Sequence, residues 1–128
     1  MRKLNRTFDF RMRAVVALLS LGLVSPALAH ARLVFAAPAE NATVTPAPTE
    51  LRLKFSEGVE LKFTKARLTG PQMKVIEIGA ARLDPDDNSL LIVPIAAPLP
   101  DGKYTVDWQA VSSDGHKTNG AYVFDSMK

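Results

Sequence analysis

His30 and His116 are the only histidines in this 128-residue chain, and each stands where chelation is easy. His116 ends the triplet Asp114-Gly115-His116. In extended backbone that spacing puts carboxylate and imidazole on one face, and Gly115 between them adds no side chain and tolerates unusual backbone angles. His30 follows Ala27-Leu28-Ala29, the A-x-A pattern of an export cleavage site. Cut after Ala29, the chain would begin at His30 and offer a free α-amine beside an imidazole, two nitrogens that close a chelate ring on one ion. An α-amine titrates near about 8, so a metal displaces its proton at neutral pH. If the fold brings His30 beside the Asp114 turn, the donor set is an amine, two imidazoles and a carboxylate. Nitrogen and oxygen donors in a tetragonal arrangement favour Cu(II), while Zn(II) accepts the same atoms tetrahedrally. Taken singly, each histidine reads as a surface residue; taken together, the pair reads as a metal site. Glu57 is a weaker candidate, either orienting His30 from behind or standing as a solvated strand-end carboxylate.

The leader that would expose His30 has recognisable parts. Arg2, Lys3, Arg6, Arg11 and Arg13 make a basic start, Ala14 to Val24 an apolar stretch, and Ser25-Pro26 a break before the A-x-A site. The apolar stretch is about half of the roughly twenty residues a membrane-spanning helix needs, so a cleaved signal peptide fits better than a retained anchor. Met12 separates Arg11 from Arg13, which leaves no twin-arginine pair. The expected division is therefore a signal peptide over residues 1–29 and one exported, periplasmic domain over 30–128. The leader holds five of the 16 Lys and Arg and one of the 13 Asp and Glu. Without it the slight excess is acidic, and the basic pI of about 9.4 belongs to the export signal. Nothing then argues for nucleic acid or an anionic membrane surface as partner. About 100 residues suffice for a single core. With no Cys, packing must stabilise it, and no thiolate can ligate a metal.

The elements that must position the histidines read as β throughout. Arg32 to Ala36 is a short apolar strand, followed by a Pro-, Ala- and Thr-rich stretch, Pro38 to Pro48, read as an ordered crossover between sheets. Leu51, Leu53 and Phe55 alternate with Arg52, Lys54 and Ser56, the period of a half-buried strand. Ala66 and Leu68 continue the pattern to a Gly70-Pro71 turn. Met73 to Ile78 is expected as the return strand, with Met73 packing the core. A short strand at Arg82-Leu83 and a buried run from Leu90 to Val93 follow. Asp101-Gly102 then turns into a long strand, Lys103 to Ser112, with Tyr104, Val106, Trp108 and Ala110 on one face. Ser113 to Asn119 is expected as a polar turn and Ala121 to Asp125 as the closing strand. Some seven or eight short strands in about a hundred residues predict an all-β Greek-key barrel or sandwich.

These stretches resemble the CopC/PcoC family of periplasmic copper-binding proteins. The likeness rests on His30-Ala31-Arg32-Leu33-Val34, Pro38-Ala39-Glu40, and Leu51-Arg52-Leu53-Lys54-Phe55-Ser56-Glu57. Toward the end it rests on Gly102 to Trp108, Ser112-Ser113-Asp114-Gly115-His116, Gly120 and Phe124. The resemblance covers the mature chain in order. It implies an immunoglobulin-like Greek-key β-barrel of seven to nine strands and a Cu(II) site made by His30, through amine and imidazole, with Asp114 and His116. Glu57 falls on the family's glutamate near that site. Some members hold Cu(I) in a Met-dense loop. Here only Met73 and Met127 follow the leader, so one Cu(II) ion and no Cu(I) site is expected.

The expected role is a monomeric copper carrier or buffer for copper homeostasis and resistance, with a CopD-like inner-membrane protein as the partner the resemblance suggests. Two other functions compete. An N-terminal histidine with a second histidine also resembles the histidine brace of copper monooxygenases, but Asp114 would occupy the position oxygen needs, and Trp108 reads as core rather than a sugar platform. A structural immunoglobulin-like module would show no metal affinity beyond that of a surface histidine.

Overall fold

The computed structural model describes residues 30–128; the leader expected over residues 1–29 lies outside them. Nine strands form: β1 (Leu33–Ala37), β2 (Thr43–Val44), β3 (Glu50–Phe55), β4 (Lys65–Thr69), β5 (Val75–Ile76), β6 (Arg82–Asp84), β7 (Asp87–Pro94), β8 (Gly102–Val111) and β9 (Lys117–Ser126). They make a four-stranded sheet, ordered β1-β3-β7-β6, and a five-stranded sheet, ordered β2-β9-β8-β4-β5. Both sheets keep free edges, so of the two expected forms the sandwich is the one built. Among the described residues no helix is long and apolar enough to cross a membrane.

The period-two pattern of β3 does what it predicts. Leu51, Leu53 and Phe55 are buried between the sheets against Tyr104, Val106 and Ala110 of β8 and Phe124 of β9. The continuous run of β7 buries Leu91 and Val93 inward. Ile92 faces outward yet is only 3% exposed, because it pairs with Arg52 on one side and Arg82 on the other, whose long stems cover apolar surface. At the start of β8 the Tyr104 hydroxyl donates to the Pro100 carbonyl at 2.5 Å. A buried tyrosine tied to backbone a few residues upstream pins a corner of many immunoglobulin-like sandwiches.

The Pro38 to Pro48 stretch is the ordered crossover expected of it. It leaves the first sheet after β1, contributes β2 to the second, parallel to β9, and returns as β3. Asn41 N–H donates to the Val123 carbonyl (2.7 Å) and Asp125 N–H to the Ala42 carbonyl (2.8 Å), extending the same ladder.

Three expectations are corrected. Met73 is 83% exposed and packs no core. The Gly70-Pro71 turn runs into a 3₁₀ turn at Pro71–Met73, with Gln72 and Met73 both at left-handed φ of 62° and 60°. The return strand therefore starts only at Val75. The last strand starts earlier than Ala121: Lys117 to Gly120 pair with Val111 to Trp108. That confines the turn to Ser112–His116, at the tip of the longest hairpin.

Candidate metal centre

Two hydroxyl side chains hold the segment that carries His30, and a third acts on the loop that faces it. Ser56, just past β3, accepts the Arg32 N–H at 2.8 Å through Oγ. Its Oγ–H is directed at the His30 carbonyl at 3.4 Å, and its N–H donates to the Arg32 carbonyl at 2.8 Å. From the other sheet, Thr118 of β9 donates through Oγ1 to the Ala31 carbonyl at 2.7 Å. Ala31 is fully buried, so the chain is clamped between the sheets and His30 emerges into solvent one residue earlier. The third hydroxyl, Ser112, acts on the facing loop.

That loop is closed by its own backbone. Ser112 N–H donates to the His116 carbonyl (2.9 Å) and Gly115 N–H to the Ser112 carbonyl (2.8 Å). Gly115 takes φ of 92°, a conformation that suits glycine. Ser113 N–H, at 3.2 Å from the Gly58 carbonyl, ties the loop to the segment after β3. Asp114 and His116 therefore meet across a tight turn and not along extended backbone: the expected juxtaposition is present, for a different reason.

Both Asp114 oxygens are engaged. Oδ1 accepts from Ser112 Oγ and from the His116 N–H at 3.3 Å. Oδ2 lies 3.1 Å from His116 Nδ1. The Ser112 hydroxyl, and then the His116 ring, lower the Asp114 pKa from 3.8 to about 2, so the carboxylate stays charged at neutral pH. The His116 and Asp114 side chains are 55% and 40% exposed, open to an ion from solvent. The His30 ring stacks on that of His116, centroids 4.6 Å apart and planes 22° from parallel.

The donor set suits a divalent ion. Asp114 Oδ2 and His116 Nδ1 face each other at 3.1 Å, the ring N–H donating to the carboxylate, so an ion held between them would take the place of that proton. Among the described residues no three His, Cys, Asp or Glu side chains are already gathered around one point. The centre is a ready pair, Asp114 and His116, with His30 stacked beside it. In the uncut chain the His30 nitrogen is a peptide amide bonded to Ala29.

Glu57 is half-buried next to Ser56, and among the described residues its carboxylate makes no hydrogen bond with His30. The neighbouring Ser56 has the contact with the His30 segment. Ser56, Ser112 and Thr118 are what sequence reasoning missed. Ser112, two residues before Asp114, has the spacing of a hydroxyl–carboxylate turn; nothing local marks Ser56 or Thr118. Trp108, the only tryptophan, sets its ring edge-on to Phe55 at 5.3 Å and lines a surface groove with Ala31 and Thr118.

Comparison with known proteins places this architecture. The family described as "CopC domain" matches residues 33–126. Protein YobA of Escherichia coli strain K12 is 48% identical over 114 residues, 88% of this chain and 92% of that protein. Copper resistance protein C of Pseudomonas syringae pv. tomato is 36% identical over 128 residues, covering 94% of this chain and 96% of its own. The crystal structure of PcoC, described as a methionine-rich copper resistance protein from Escherichia coli, superposes with a TM-score of 0.70 at 35% identity, over 77% of this chain and 100% of that one. On sequence and on fold alike, the chain belongs to the CopC family of copper resistance proteins.

Proposed function

We propose that the chain, cleaved after Ala29 and exported to the periplasm, binds one Cu(II) ion through the His30 amine and imidazole, Asp114 and His116. The observation that carries this reading is the preformed pair, Asp114 Oδ2 at 3.1 Å from His116 Nδ1, with the His30 ring stacked against it. Cleavage turns the His30 amide into an amine and completes the set, so the precursor would be a poor chelator and the exported protein a good one. His30, whose ring meets the site by stacking on His116, is the donor that turns toward the ion. Asp114 and His116 stay in place.

The role is that of a monomeric carrier or buffer in copper homeostasis, with an exposed site from which a CopD-like inner-membrane protein can take the ion. Asp114 fills a ligand position that a copper oxygenase would leave open, which favours binding over catalysis. Met73 is the one methionine in its loop, so a thioether-rich Cu(I) site is not part of the reading.

The test is a titration of the mature protein with Cu(II), followed by paramagnetic resonance and by competition against a chelator, with Zn(II) in parallel. A spectrum of nitrogen and oxygen donors at one ion per chain is expected. Affinity no better than that of an exposed histidine would defeat the proposal.

A further inference from the structure

Ser112 is fully buried, although it opens a polar, exposed turn. Its hydroxyl donates to Asp114 Oδ1 and also lies 3.3 Å from the His116 carbonyl. Its backbone N–H and carbonyl take the two bonds that close the loop, and its position bridges to Val59 across the sandwich end. The residue is thus fixed by the core on one side and grips the carboxylate on the other.

We infer that Ser112 is a positioning residue for the metal site: by holding Asp114 Oδ1 it turns Oδ2 toward His116 Nδ1 and presents that oxygen as the metal donor. A carboxylate with both oxygens free can rotate or bind an ion through either oxygen. Asp114 has Oδ1 held by the Ser112 hydroxyl and the His116 N–H, so Oδ2 is aimed at the His116 ring before any ion arrives. Hydrogen bonds that orient a ligand in this way commonly contribute about 10- to 100-fold in metal affinity. The inference rests on the ligand set proposed above.

Three forms of the mature protein test it: wild type, Ser112→Ala and Ser112→Thr. Ser126→Ala serves as control, because Ser126 is equally buried and its hydroxyl has no partner among the described residues. Cu(II) affinity, the paramagnetic resonance spectrum and metal-free melting temperature are measured for each. Ser112→Ala is expected to bind about 10- to 100-fold more weakly with altered copper hyperfine coupling. Its melting temperature should shift no more than that of the control by a margin that explains the loss. Ser112→Thr keeps a hydroxyl and should restore the spectrum. Wild-type affinity and spectrum in Ser112→Ala overturn the inference. Should Ser112→Ala not fold, a crystal structure of copper-loaded wild type decides: Asp114 must reach the ion through the oxygen that Ser112 does not hold, and a broken Ser112–Asp114 contact overturns it. Absence of binding by wild type would instead reject the ligand set itself.

Discussion

The His30 and His116 rings stack at 4.6 Å, although one precedes the first strand and the other follows the eighth. Two sheets are needed to bring them together. Ser56 from the β3 end and Thr118 from β9 clamp residues 30–32, while the β8–β9 hairpin carries the Ser112–His116 turn to the same end. Of the two histidines, His116 is tied to Asp114 at 3.1 Å, so in the proposed site His30 is the donor that moves.

The free amine is the first thing to test. One added residue before His30 in the mature protein converts the amine to an amide while leaving the ring. Two donors on one residue act as linked binding, so the extension is expected to weaken Cu(II) binding about a hundredfold or more. A chelator competition assay reads this. His116→Ala should lose affinity as well, whereas Met73→Leu, at an exposed side chain far along the chain, should not.

Trp108 shares a groove wall with Ala31, next in sequence to His30. Paramagnetic Cu(II) bound there is expected to quench tryptophan emission and to saturate at one ion per chain, with Zn(II) leaving the emission brighter. Full emission in a sample whose resonance spectrum shows bound copper would place the ion elsewhere.

Acid should loosen the fold in a defined range. Asp87, held chiefly by Lys54 and then by Ser89, is lowered from 3.8 to about 2, and Asp114 from 3.8 to about 2. A carboxyl with a depressed folded-state pKa contributes stability that is present above its unfolded value and lost as pH falls through the folded one. Thermal unfolding of the metal-free domain is thus expected to weaken from about pH 4 down to about pH 2. In Lys54→Met that decline should be shallower, since Asp87 then loses its main partner. An unchanged slope would deny the Lys54–Asp87 pair this part.

Two buried tyrosines should respond oppositely to loss of their hydroxyls. Tyr104→Phe deletes the bond to the Pro100 carbonyl and is expected to cost about 1 kcal/mol. The Tyr122 hydroxyl is buried with no partner among the described residues, and burial lifts its pKa to about 12. Tyr122→Phe removes an unsatisfied polar group and should leave stability unchanged or raised. Urea denaturation of the two variants compares them directly; equal losses would contradict the assignment.

The sequence by itself determined the strands whose burial is local in origin. Leu51, Leu53 and Phe55 alternate because one face of β3 is buried, and Tyr104, Val106 and Ala110 do the same in β8; period two shows in the residues whatever their neighbours are. It also offered the candidate donors of the proposed site, two histidines and the carboxylate two residues before the second. Tertiary structure alone decided what holds them. Ser56 lies beside Glu57 in sequence, but only pairing of β1 with β3 shows that the hydroxyl, not the carboxylate, reaches the His30 segment. Thr118 grips Ala31 because β9 faces the start of β1 across the sandwich. Met73 stands in solvent because the chain takes two left-handed residues before Val75. Such contacts join residues far apart in the chain, and no local pattern of polarity encodes them.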